Sequence, residues 1–155
     1  MASSKLQVTR PTQRMVTDIA YCLRQADIDE IWAMSHGKPV AATNRAWKAS
    51  DKCWVALWDG VPTVIFGVAR ESYMPSIGSP WMLATDRISE MGTTFVRGSI
   101  KYVNFMQEGY ELLRNYVDVR NKVSIKWLRW LGFTLLDPKP YGPDGHLFHE
   151  FYQGV

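Results

Sequence analysis

In a chain of 155 residues, the densest set of chemically useful side chains lies in Asn121-Lys-Val-Ser124-Ile-Lys-Trp-Leu-Arg-Trp-Leu-Gly-Phe133, which gathers three cations and two tryptophans into one helix-length segment. On a helix, Lys122, Lys126 and Arg129 share one side at four- and three-residue spacing, and Val123, Trp127, Leu128, Trp130 and Leu131 fill the rest. Such a stripe can meet the phosphates of a nucleic acid, with affinity falling steeply with salt. Three cations make that attraction weak, and a net charge of +3 spread over interspersed Lys and Arg does not extend it. The stripe reads as the wet side of a surface helix, and no specific nucleic-acid binding is expected.

A second group is Asp86-Arg-Ile-Ser-Glu90-Met-Gly92-Thr93-Thr94. Asp86 and Glu90 follow the compact apolar run that begins at Trp81, which suits a central strand, and burial there could lift a carboxylate towards the range of a general base. Gly92 with Thr93 and Thr94 can form a small anion nest, although a threonine at a helix start is also an ordinary cap and the nearby carboxylates oppose an anion. The histidines do not converge. His146 and His149 are an odd number of residues apart on a strand and face opposite sides, and His36 sits in a turn. Cys22 and Cys53 are too few and too far apart for a zinc pattern, so no metal is expected. Gly-x-Ser-x-Gly, Walker, His-Glu-x-x-His and Cys-x-x-Cys patterns are missing, which removes the usual hydrolase, nucleotide and zinc readings.

The elements that must carry these residues follow from periodicity. Leu6 to Thr9 reads as a strand, and Thr12 to Gln25 as a helix with Met15, Ile19, Cys22 and Leu23 on its apolar stripe. Asp27 is placed to cap a second, short helix through Met34, and Pro39 to Ala49 is a third. Cys53 to Trp58 and Val61 to Ala69 flank Asp59-Gly60 as a hairpin. Pro75 to Pro80 reads as a loop, Trp81 to Asp86 as a strand and Arg87 to Gly92 as a polar connection. A long helix from Thr93 or Thr94 carries Phe95, Tyr102, Val103, Met106, Tyr110 and Leu113 on one face, and Asn115 to Val119 returns as a strand. After the Asn121 helix come a strand from Phe133 to Leu136, a turn from Pro138 to Gly145 and a last strand from His146 to Tyr152. With 46% hydrophobic residues the chain can bury one core, so residues 1–155 read as a single α+β (mixed α/β) domain. The expected sheet is mostly antiparallel, with six to seven strands and four to five flanking helices. The N-terminal decapeptide has no apolar leader, and no stretch nears the roughly 18 consecutive apolar residues of a membrane span, which points to synthesis in the cytoplasm without a membrane anchor.

Asn121-x-x-Ser124-Ile125-x-Trp127-Leu128-x-x-Leu131-Gly132-Phe133 resembles the C-terminal motif of the GNAT superfamily of N-acetyltransferases, in which an Asn after the fifth strand precedes a helix ending in Gly-Phe. Within that superfamily the chain resembles a phage branch, the internal virion proteins of podoviruses. The similar features are Arg10-Pro11-Thr12, Leu23-Arg24 through Glu30, Trp81 through Asp86, Asn115-Tyr116-Val117, the Asn121 motif, and Asp144-Gly145. The resemblance implies a GNAT-like sheet. If acetyl-CoA binds, it implies contacts from Asn121, Ser124, Gly92 and Thr93. Two departures fall on function-bearing positions. The phosphate-binding pattern [Q/R]-x-x-G-x-[G/A] is not matched around Arg87 or Arg97, and Leu128 stands where many family enzymes have a general-acid Tyr.

The first expectation is therefore a non-catalytic phage protein, with no cofactor, that serves virion assembly or the internal core used in genome ejection. It would be made in the host cytoplasm and packaged, and would meet virion or core proteins, or a second copy of itself, through exposed tryptophans among Trp32, Trp47, Trp58 and Trp130. The alternative is an acetyl-CoA-dependent N-acetyltransferase acting on an amine of a protein or small molecule.

Overall fold

A computed structural model describes residues 5–155. Residues 1–4 of the expected domain and of the N-terminal decapeptide lie outside the described residues. The described chain builds an eight-stranded sheet whose strands follow the order β1-β2-β3-β4-β5-β8-β6, with β7 on the same edge of β8 as β6. The strands are β1 (Leu6–Thr9), β2 (Ser50–Trp58), β3 (Val61–Arg70), β4 (Ile77–Ala84), β5 (Leu112–Asp118), β6 (Thr134–Leu135), β7 (Lys139–Tyr141) and β8 (His146–Gly154). Pairing is antiparallel except between β4 and β5.

Helices α1 (Gln13–Ala20), α2 (Gln25–Ser35) and α3 (Pro39–Ala49) precede the β2–β3 hairpin, α4 (Thr93–Gln107) joins β4 to β5, and α5 (Lys122–Trp130) follows β5. Alternation along β3 separates two cores. Val64, Phe66 and Val68 join Phe95, Val103 and Ile125 in the core that holds α4 and α5, whereas Ile65 joins Val16, Ile19 and Leu83 in the core that holds α1. Helices thus cover both faces of the sheet.

Local chemistry accounts for most boundaries. Thr12 caps α1, its hydroxyl accepting from Met15 N–H at 3.3 Å, and Pro39 opens α3 where a missing N–H costs nothing. Asp59 and Gly60 both take positive φ, 51° and 79°, as the tight turn of a twisted hairpin requires.

Several expectations are corrected. The sheet has eight strands instead of six or seven, because β7 forms within the Pro138–Gly145 segment read as a turn. The Pro75–Pro80 loop is half strand. Gly78 to Pro80 pair with β3, and Ile77 with Leu112 of β5, despite weak strand propensity, since the neighbouring strands supply the partners. The polar connection after β4 is a 3-10 helix, Asp86–Met91, that buries Ile88 and Met91. Helix α4 stops at Gln107, and Gly109, with φ 87°, turns the chain before Tyr110 and Leu113, so those two do not belong to the helical face. Helix α1 ends at Ala20, which leaves Cys22 exposed outside its stripe. Asp27 does not cap α2. The helix begins two residues earlier, and the Asp27 carboxylate is drawn into the sheet.

Candidate functional site

Strands β4 and β5 pair only at Ile77↔Leu112 and Gly78↔Leu113. Beyond Gly78 they part, and a cavity of about 440 Å³ occupies the gap, with Trp81, Met82 and Leu83 of β4 on one side and Asn115, Tyr116 and Val117 of β5 on the other. The cavity passes through the sheet. On one face its walls come from α2 and α3 (Glu30, Met34, Ala42), and on the other from α4 and α5 (Phe95, Trp127, Leu128).

A split sheet exposes two rows of peptide groups that need partners. Thr85 N–H donates to Thr63 O, directly opposite it across the β3–β4 ladder, so alternation turns the peptide groups of Ala84, Met82 and Pro80 away from β3 and towards the gap. The same rule applied to Val119 N–H and Leu147 O turns Asp118 and Tyr116 into the gap from β5.

Backbone N–H groups of Arg24 and Asn121 donate to Ala84 O and Asp118 O, and side chains answer several of the others. At the narrow end the Asn115 amide bridges the strands, donating to Pro80 O at 2.8 Å while its Oδ1 accepts from Tyr116 N–H at 2.8 Å. At the wide end α2 sits astride the gap. Asp27 Oδ2 accepts from Ala84 N–H at 2.9 Å on the β4 side, and Glu30 Oε1 accepts from Asp118 N–H at 2.7 Å on the β5 side. Spacing of i and i+3 places both carboxylates on one face of α2. Between these clasps, the peptide N–H and C=O of Met82 face the gap, and no side chain among the described residues takes them.

The two carboxylates differ in their partners. Asp27 is 1% exposed and forms a two-pronged pair with the buried Arg24 guanidinium, at 2.8 and 3.1 Å. Glu30 makes no ion pair among the described residues, and Arg120, which feels its charge, is forked onto Asp118 instead. Burial, with the nearby Asp27 and Asp118 charges, pushes its carboxyl up to about 7, against the hydrogen bonds from Asp118 N–H and Asn121. Its Oε2 makes no hydrogen bond among the described residues and is not sealed off, so a proton-accepting atom faces the cavity. Asp118 is held below the usual carboxylate range despite burial, because Arg120 forks onto it at 2.6 to 3.2 Å. Among the described residues, two buried side-chain oxygens lack partners: Thr85 Oγ1 at the end of β4 and Asn121 Oδ1 at the start of α5. Orphans of this kind are uncommon in folded proteins.

No family profile and no curated protein matches the chain. Solved structures do. A GNAT-family acetyltransferase from Streptococcus pneumoniae aligns over 97% of this chain and 99% of its own, with a TM-score of 0.64 at 12% identity. The aminoglycoside acetyltransferase AAC(6')-Ib, in complex with ribostamycin and coenzyme A, aligns over 97% and 94% with a TM-score of 0.71 at 12% identity. Diaminobutyrate acetyltransferase EctA from Paenibacillus lautus, solved with L-2,4-diaminobutyric acid and coenzyme A, aligns over 98% and 96% with a TM-score of 0.68 at 15% identity. The chain has the GNAT fold.

Within the GNAT frame the residues singled out from sequence fall into three groups. Ser124 of α5 lines the cavity with its hydroxyl 3.5 Å from Arg24, whereas Asn121, just before α5, is 3% exposed and lies behind the lining with its amide nitrogen 3.5 Å from Glu30 Oε1. Gly92 and Thr93 start α4 with no side-chain cap, so first-turn N–H groups stand open to solvent one turn from the cavity-lining Phe95 and Val96. Asp86 and Glu90 are exposed on the 3-10 helix, outside the cavity lining, with Glu90 paired to Arg87 at 2.9 Å. Leu128 lines the cavity as a hydrocarbon.

Lys122, Lys126 and Arg129 are exposed, as a wet helix face requires. Of the four tryptophans, Trp32 and Trp130 are half exposed, whereas Trp47 packs on the α1 core and Trp58 on the α4 side, because each is sequestered by its own sheet face. His36 contacts Asp144 at 2.8 Å and His149 contacts Leu136 O at 2.8 Å, so the histidines stay apart. No helix among the described residues is long and apolar enough to cross a membrane.

Sequence reasoning did not single out Glu30 as a site residue. The signal that could have found it is Asp27-x-x-Glu30. Two carboxylates one turn apart on a helix are often both solvated, and only the split in the sheet turns this pair inward.

Proposed function

We propose that the chain is an acyl-CoA-dependent N-acyltransferase for a small amine. The observation that carries this reading is Glu30 Oε2, an unpaired carboxylate oxygen with its pKa raised to about 7, facing a cavity that opens on both faces of a split sheet. Some structural neighbours were solved with CoA or acetyl-CoA, which supports the choice of donor. The residues present suit that molecule. Ser124 presents a hydroxyl at the cavity wall, the Met82 peptide offers a donor and an acceptor to an amide in the gap, and the open turn at Gly92 and Thr93 suits phosphate.

Acetyl-CoA, when bound, supplies an acyl group on a thioester. Glu30 takes a proton from the amine as the C–N bond forms and the C–S bond breaks, the electron pair departing on sulfur. Met82 N–H, which faces the gap, would donate to the carbonyl oxygen of a bound thioester and so polarise it. Leu128 cannot protonate the departing sulfur. A thiol with a pKa of about 8.5 is an acceptable leaving group as thiolate near neutral pH, so water can complete the step.

The test is a titration of the purified chain with acetyl-CoA, following its melting temperature, and a thiol-release assay with an amine panel. Saturation at 100 times the dissociation constant stabilises by about 2.7 kcal/mol. No shift at millimolar acetyl-CoA overturns the reading.

A second reading, a virion assembly or core protein, rests on the sequence resemblance, with Trp32 and Trp130 as the exposed aromatic contacts and Leu128 as the lost acid. It extends to packaging in the particle and to contacts with phage proteins or a second copy. Mass spectrometry of purified particles tests it, and absence from particles and assembly intermediates overturns it.

A further inference from the structure

Glu30 and Arg45 are the only charged side chains among the cavity's lining residues, and both belong to the α2–α3 face. The rest of that mouth is apolar or small, with Met34, Trp81 and the i, i+4, i+7 alanines Ala42, Ala46 and Ala49 leaving room beside Arg45. Arg45 is exposed and makes no hydrogen bond or ion pair among the described residues, and unlike the other unpaired arginines, Arg10, Arg14, Arg97 and Arg129, it lines the cavity. A single acid and a single base on one wall, with an apolar interval, describe complementarity to a molecule that carries an amine and an anionic group on an apolar body.

We infer that the acceptor is a small zwitterion, a primary amine bearing a carboxylate, with the amine at Glu30 and the carboxylate at Arg45. This rests on the acyl-transfer reading for its chemistry but not for its binding. The planar guanidinium suits a carboxylate because it can donate two parallel N–H groups to it. Arg45 acts on affinity and choice of acceptor, and Glu30 on proton removal.

The experiment is isothermal titration of the full chain, without coenzyme, against leucine, phenylalanine and 6-aminohexanoate. Each is paired with the amine that lacks its carboxyl group: isopentylamine, phenethylamine and pentylamine. At least one carboxylated member is expected to bind tenfold or more tightly than its partner. Arg45→Ala should abolish that preference while leaving the plain amine unchanged, and Arg45→Lys should restore part of it. Alanine on an exposed helix position does not threaten folding. The inference is overturned if no pair shows the preference, or if Arg45→Ala weakens both members alike. Acetyl-CoA binding is measured in parallel. Acetylation of amines without preference for a carboxylate sinks this inference and leaves acyl transfer standing. Arg45-dependent zwitterion binding in a chain that ignores acetyl-CoA does the reverse.

Discussion

Glu30→Gln separates the charge of this side chain from its shape. The amide keeps an oxygen for Asp118 N–H and removes the titration. In the folded chain the carboxyl is raised from 4.5 to about 7, mainly by burial. Between these values the unfolded chain has released the proton and the folded chain still holds it, so stability is full below 4.5 and falls as pH rises through 7. The displacement corresponds to roughly 3 kcal/mol in total, of which about 2.5 kcal/mol is lost between pH 5 and pH 8. Denaturant unfolding at those two pH values should show that loss in the parent chain and a nearly flat response in Glu30→Gln. The variant should be the more stable of the two at pH 8. Under the proposed chemistry, kcat/KM of the parent rises through an apparent pKa near 7, and the variant loses that rise along with most of its rate. Superimposable pH–stability curves for the two proteins would refute the assignment of a buried, unpaired carboxyl at position 30.

Three further outcomes concern the frame of the cavity. Asp27→Ala strands the buried Arg24 charge and the Ala84 N–H, and should cost about 3–5 kcal/mol by chemical denaturation. Asn115→Ala removes both arms of the bridge between Pro80 and Tyr116, and should cost about 1–3 kcal/mol with faster amide exchange at Tyr116. Gly78→Ala drives a methyl to 2.8 Å from Val68 and 2.9 Å from Tyr110 where β4 and β5 last pair, and should cost about 1–3 kcal/mol of overpacking in a thermal melt.

What could be read from the sequence was whatever local chemistry decides. Pro39 to Ala49 was legible residue for residue because proline fixes its start, and Asp59-Gly60 announced a hairpin because two positive φ values suit few other pairs. The apolar period of α4 ran on through Tyr110 and Leu113 because the helical and strand patterns happen to be in phase there, and only Gly109 marked the break. Ile77 to Pro80 were hidden because their strand is imposed by the neighbouring strands β3 and β5. The cavity itself was not legible at all. It exists because β4 and β5, far apart in sequence, stop pairing after two residues, and no local pattern records where a pairing ends. For the same reason Asn121 and Ser124 were singled out through their motif, whereas Glu30, whose environment is entirely long-range, was passed over.

The way α2 clasps both lips of the gap also constrains how this protein can change over time. A single residue inserted or deleted between Asp27 and Glu30 would rotate one carboxylate by about 100° relative to the other, and one strand edge would lose its partner. Substitutions along the outer side of α2 meet no such demand. Related chains should therefore vary freely in what this helix presents to solvent while holding its length between the two acids fixed, and loop-length variation should collect in the segments on either side of it.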